Sequence, residues 1–190
     1  MSSTHTEDVT SDVVIPDVAN KPRLEDTYRP GHFAGVCQVV SRLFDLCAPR
    51  PQSLVKDWQQ LQCVRTESRL QGRDLQIIPA ETVREDSGLA MSSRNLHLTP
   101  EARIEAVAIS QALFAASNMP TPEMGESLMH EILIKGGITP EYAAIRPADS
   151  LMPLPDPSRN PYVPCRALIA AKVEGVRLID NTPWTPVAYA

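Results

Sequence analysis

From Phe33 to Cys47 apolar residues recur at three- and four-residue steps (Phe33, Val36, Cys37, Val40, Leu43, Phe44, Cys47), the spacing of one helical face. Arg29-Pro30-Gly31 opens this helix, and Pro49 and Pro51 close it. The short run Ser53-Leu54-Val55 reads as a strand. Lys56-Asp57 then starts a second helix that runs to Gln71 and stops at Gly72. Leu75 to Ile78 reads as a buried strand, with Thr82-Val83 continuing it beyond Pro79. Strand and helix alternating in this way predict an α/β fold with a parallel sheet, of which the chain carries only the last part.

A different pattern follows. Thr99-Pro100-Glu101 combines an N-cap, a proline for the first turn and an early acid, and Ala106, Ile109, Leu113 and Ala116 form the buried face of the helix it starts. Thr121-Pro122-Glu123 repeats the device, with Met124, Leu128 and Ile132 expected inward and Gly136-Gly137 ending the helix. After a proline-rich link from Pro147 to Pro164, Arg166 to Val173 and Val176 to Ile179 read as a hairpin turning at Glu174-Gly175. The organisation expected is a flexible tail over 1–28, a partial α/β domain over 29–97 and a small α+β domain over 98–190, with the boundary near Asn95 to Thr99.

Composition narrows the function. The 190 residues carry a net charge of −5 with 5% aromatics, against both a phosphate-backbone footprint and a base-stacking platform. No nucleic-acid partner is expected. No apolar run approaches the ~20 residues that span a bilayer, so no membrane association is expected either. Cys37, Cys47, Cys63 and Cys165 lack metal-type spacing and read as small core hydrophobes in a reducing cytoplasm.

The chemistry concentrates in Gly88-Leu89-Ala90-Met91-Ser92-Ser93-Arg94. Adaptable hydroxyls, a fixed guanidinium and a glycine together suit a bound phosphate. They also suit a polar loop that caps the next helix, and spacing alone leaves both readings open. Lys56 adds a second cation at a helix start, where a positive charge is electrostatically unfavourable, beside Asp57 and one turn from Gln59 and Gln60. His32 stands in the first turn of an amphipathic helix and reads as half-buried, whereas His97 and His130 read as surface residues. Glu25 reads as an acidic linker residue, with contact to a cation as the alternative.

Taken together, "RPGHFAGVCQVVSRLFDL" (Arg29 to Leu46), "KDWQQL" (Lys56 to Leu61), "VREDSGLAMSSRNLHLTPEAR" (Val83 to Arg103) and "LIDN" (Leu178 to Asn181) closely resemble the pantothenate synthetase, or pantoate–β-alanine ligase, family. The resemblance implies the later part of a Rossmann-like nucleotidyltransferase domain followed by a small α+β carboxy-terminal domain. It also implies ATP-dependent condensation of pantoate with β-alanine through a pantoyl adenylate, with magnesium, and an enzyme that often forms a homodimer. By residue match, Ser92, Ser93 and Arg94 would hold the ATP phosphates, with Met91 and Val83 near the nucleotide and Asp57 near the ribose. Lys56 would bridge phosphate and pantoate, Gln60 would hydrogen-bond pantoate, and Lys56 and Arg94 would be the catalytic pair.

Two departures accompany the match. The His-x-Gly-His loop of the family's amino-terminal half has no counterpart, and the glycine of its Phe-Gly-Glu lead is missing before Lys56, where Leu54-Val55 stands. The alternatives are a shortened relative that binds nucleotide weakly or serves as a partner subunit, and another adenylylating nucleotidyltransferase.

Overall fold

The computed structural model describes residues 13–47, 52–55, 57–159 and 163–185, with backbone only at 47 and 52–55. Lys56 lies outside the described residues, as does the side chain of Cys47. A short helix α1 (Glu25–Tyr28) precedes α2 (His32–Cys47), strand β1 (Gln52–Val55), α3 (Trp58–Leu70) and β2 (Gln76–Pro79). β1 and β2 pair in parallel, from Gln52 against Gln76 to Val55 against Pro79, with α3 as the crossover. This is the arrangement expected from the strand–helix alternation. Thr82-Val83 does not extend β2; the chain there forms only an isolated antiparallel bridge, Arg84 to Ala90. Pro79, which has no N–H for a ladder, ends the strand.

Helices α4 (Pro100–Ala116) and α5 (Pro122–Lys135) lead into a three-stranded antiparallel sheet of β3 (Pro140–Pro147), β4 (Cys165–Val173) and β5 (Val176–Trp184), in the order β3-β4-β5. Thr99 and Thr121 cap their helices, accepting from the N–H groups of Ala102 and Met124. The β4–β5 hairpin turns at Glu174-Gly175, where φ is 49° and 79°, the doubly left-handed geometry that matches strand twist. One strand, β3, was not expected.

The buried face of α4 is as anticipated; on α5 Ile132 packs partly buried against the core as expected, and Met124 does not. Gly125, Met129 and Leu133 turn inward, while Met124 is 49% exposed. The physical reason is Gly125: a Cβ there would stand 2.5 Å from Ile145 Cδ1, so the helix packs along its glycine face against β3.

The sheet is covered on both faces. α4 and α5 bury Ile109, Leu113, Met129 and Leu133 against Ile145, Ala167 and Ile169. On the other face Ala144 and Leu168 pack with Val18, Leu24, Phe33, Cys37 and Cys63. Burial on both faces explains why β4 reads as the near-continuous apolar run Ala-Leu-Ile-Ala-Ala. It also corrects the expectation of a loose tail through residue 28. Over 13–28 the chain forms a short 3-10 helix at Asp17–Ala19, then α1, and fully buries Leu24. By contrast, Val39, Leu43 and Leu46 on α2 stay exposed, at 60%, 50% and 65%. Leu43 was expected on the buried face. Cys37, Cys63 and Cys165 are buried free thiols.

Candidate functional site

The loop from Arg84 to Ser92 is built by its own backbone. Glu85 N–H donates to Leu89 O at 2.9 Å and Gly88 N–H to Glu85 O at 2.8 Å. Gly88 sits at φ +92°, a value that a side chain would resist. Ser92 then caps a 3-10 helix, Ser93–His97, its Oγ accepting from Arg94 N–H at 3.2 Å. Inside the loop Asn95 is buried, with Nδ2 donating to Glu85 and to Ala90 O, both at 3.0 Å, while Arg103 pairs with Glu85 at 2.7 Å. The capping reading of this segment is therefore real. It does not use the Arg94 side chain, whose Nη1 reaches Arg177 O at 3.2 Å.

The N-terminus of α3 supplies the opposite wall. Asp57 caps it, accepting from Gln60 N–H at 2.8 Å. Burial pushes the Asp57 carboxyl above its ordinary value, against the lowering effect of that bond. Gln59 is buried and holds the amino-terminal segment, donating to Val18 O at 3.1 Å and accepting from Glu25 N–H at 3.3 Å.

The floor is a charged network that joins distant parts of the chain. Arg177 on β5 binds Glu25 of α1 through both terminal nitrogens, at 3.0 and 2.6 Å, and Glu141 of β3 at 2.7 Å through Nε. Tyr142 adds a hydroxyl bond to Glu25 at 2.8 Å, and Arg29 stands 3.6 Å from the same carboxylate. Burial alone would raise the Glu25 carboxyl; the bonds from Arg177 and Tyr142 and the charges of Arg177 and Arg29 outweigh it, so the group sits below its ordinary value. Beside it, Asp180 is clamped by Arg84 at 2.6 and 3.1 Å.

These walls enclose a cavity of about 360 Å³ that brings together Arg29, His32, Asp57, Gln60, Ser92 and Arg94, with Arg177 and Asp180 below. Asp180 and the Glu25 carboxylate are already committed to arginines, which leaves Arg94 and the Asp57 carboxyl as the lining charges without an ion pair among the described residues. Burial and the Arg29 charge hold His32 below its usual value. The other expected residues lie elsewhere. Met91 and Ser93 line an adjoining, more open concavity that Ser92 and Asn95 share. Val83 is 63% exposed, and its carbonyl accepts from Met91 N–H at 2.9 Å. His97 and His130 are exposed.

Sequence reasoning left Arg177 and Arg84 out of the site, and it took Glu25 as a linker residue. Glu25 and Arg177 lie 152 positions apart, Arg84 and Asp180 lie 96 apart, and neither pairing has a local pattern. Glu25 sits in the polar string Arg23-Leu24-Glu25-Asp26-Thr27, which carries no local sign of burial.

Among the described residues no group of three or more His, Cys, Asp or Glu side chains stands together as a metal cage, and no helix is long and apolar enough to cross a membrane.

Comparison with known proteins gives the family of the chain. The chain is 42% identical over 167 residues to pantothenate synthetase of Nocardioides sp., covering 84% of this chain and 48% of that protein. It is 42% identical over 169 residues to the Paracoccus denitrificans enzyme, covering 85% and 58%. The chain thus spans about half the length of the curated relatives it matches. The crystal structure of pantothenate synthetase from Thermus thermophilus superposes with a TM-score of 0.77 at 35% identity, over 85% of this chain and 60% of that one. A Francisella tularensis pantoate–β-alanine ligase complexed with beta-gamma ATP and β-alanine gives 0.64 at 27% identity, over 88% and 56%. The family model of pantoate–β-alanine ligase matches residues 5–183, and the chain belongs to that family.

Proposed function

We propose that the main cavity binds ATP and pantoate for AMP-forming condensation of pantoate with β-alanine. The observation that carries the reading is convergence: Arg29, Asp57, Gln60, Ser92 and Arg94 come from three separate segments and line one space. The Francisella relative bound to a nucleotide and β-alanine supports it. A pantoate carboxylate oxygen attacks the α-phosphorus, the bond to the β-phosphate breaks, and pyrophosphate leaves. The β-alanine amine then attacks the acyl carbon, AMP departs with the oxygen it gained, and the amine loses a proton. Arg94, Ser92 and Ser93 hold the phosphates, where fixed donors count most as charge develops. Lys56, next in the chain to Asp57, bridges phosphate and pantoate in this reading. Met91 and Val83 border the nucleotide from the adjoining concavity, and Gln60 orients pantoate. Magnesium would supply neutralising charge to the phosphates that Arg94, Ser92 and Ser93 hold.

A second reading shares this site: nucleotide binds, and turnover by the 190 residues alone is far below that of a relative. The share of the relatives that the chain covers favours it. A coupled assay for AMP release with pantoate, β-alanine and magnesium-ATP decides between them. Turnover in the ordinary range of about 1 to 10³ per second supports full catalysis, and none with ATP still bound supports the second reading. If ATP does not bind, both fail.

A further inference from the structure

A second cavity, also of about 360 Å³, lies on the far side of Asp57-Trp58 and Asp180-Asn181 from the first and has a different character. It opens where the chain leaves β2, at Pro79 to Thr82, and is walled by Trp58, Phe114, Arg166 and Asn181. Its apolar surfaces are the two aromatic rings with Pro79, Ala80 and Pro183. Its polar lining is Arg84, Arg166, Asn181 and the hydroxyls of Thr82 and Thr182, with Glu81 as its carboxylate. The Arg166 guanidinium lies 3.9 Å over the Trp58 ring and forms no ion pair among the described residues. Among the described residues only its Nε has a protein acceptor, Asn181 Oδ1 at 2.8 Å. That bond occupies the oxygen of the Asn181 amide and leaves its NH₂ group as a donor. Thr82 Oγ1 is buried and has no hydrogen-bond partner among the described residues.

Acceptors are scarce by comparison. Asp180, the buried carboxylate whose charge acts on Arg166, is held by both terminal nitrogens of Arg84. Arg84 itself stacks 4.9 Å over Phe114. Glu81 is exposed at the rim. Burial depresses the Arg166 guanidinium to about 10 even with Asp180 nearby, the mark of a cation lacking its counter-charge.

Unpaired donors in an apolar-walled hollow are costly unless something accepts from them. We infer that this cavity is a binding site for a small organic carboxylate, its oxygens taken by the free end of Arg166 and by Thr82 and Asn181, and its apolar body lying between Trp58 and Phe114. A planar carboxylate matches the guanidinium fork, and its carbon body uses walls that a bare oxyanion would leave empty. The site is separate from the nucleotide reading and does not depend on it. Trp58 and Asn181 adjoin Asp57 and Asp180 in the chain, so an occupant would press on residues that line the first cavity.

The chain provides its own reporter. It contains two tryptophans, and Trp184 is 1% exposed, with its indole N–H donating to Ala116 O, away from this cavity. Sodium isobutyrate titrated into the labelled chain should move the Trp58 indole resonance saturably and leave that of Trp184 in place, with a dissociation constant of ~1 mM for so small a ligand. Thr82→Val, which removes only the hydroxyl, should weaken binding about three- to ten-fold without lowering the melting temperature. Arg166→Gln should weaken it by at least about ten-fold. Three outcomes overturn the inference: no saturable shift at Trp58, an equal response to neutral isobutyramide, or unchanged affinity in Thr82→Val. Inorganic phosphate competing as strongly as isobutyrate would also overturn it, because the apolar walls would then contribute nothing.

Discussion

The sharpest test of the buried charge network is Glu25→Gln. The side chain of Glu25 is 2% exposed and that of Arg177 15%, with a 2.6 Å contact between them. Removing one partner of a buried pair costs about 3–5 kcal/mol, mainly through the charge left behind. Here Arg177 keeps Glu141 at 2.7 Å, and the amide oxygen of glutamine still accepts from Tyr142. The loss should therefore fall to about 2–4 kcal/mol, and in a chain of this length each kcal/mol lowers the melting midpoint by about 2–4 °C. The pH dependence follows from the direction of the shift. The folded-state carboxyl sits below its ordinary value of 4.5. Its contribution is complete above 4.5 and is lost as pH falls through the lower folded value. Urea titrations of wild type and variant should give a constant gap between about pH 5 and 7 that narrows on further acidification. A gap below about 1 kcal/mol at neutral pH, or one that acid leaves untouched, would refute the argument that this pair ties α1 to the sheet.

Further expectations concern the loop, a cap and a close contact. Arg94→Ala should weaken ATP binding by about 1.5–3 kcal/mol and adenosine binding little, with a nearly unchanged melting curve, as calorimetry with both ligands would read. Thr99→Ala removes the α4 cap and should lower stability by about 1 kcal/mol in denaturant titration. Gly125→Ala gains about 1 kcal/mol of helix propensity but forces a methyl to 2.5 Å from Ile145 Cδ1; overpacking of about 1–3 kcal/mol should win, and the melting point should fall.

What the sequence showed and what it hid divide along the range of the physical signal. Thr99-Pro100 and Thr121-Pro122 announce helices because a cap is chemistry within four residues, and Glu174-Gly175 announces a hairpin for the same reason. β3 left no such mark. Ala143, Ala144 and Ile145 are buried in succession, so the two-residue alternation of a half-exposed strand never appears. The phase of α5 was hidden because its packing is governed by an absent Cβ, and hydrophobicity does not record that. In the site, Asp57, Gln60, Ser92 and Arg94 were legible from local strings and the family match, and the structure brings those four together. Arg177 and Arg84 were not, since each acquires its partner only through folding.

The hydrophobic cluster that joins Val18, Leu24 and Phe33 to Ala144 and Leu168 has a consequence for how the molecule comes apart. Contacts spanning most of the chain, reinforced by Glu25 to Arg177, make the amino-terminal helices and the carboxy-terminal sheet one cooperative unit, although the α/β-to-α+β change near Asn95 looks like a seam. The chain should melt in a single transition. A ligand seated between the two parts should then raise that transition for every residue at once, by an amount set only by its concentration relative to its dissociation constant.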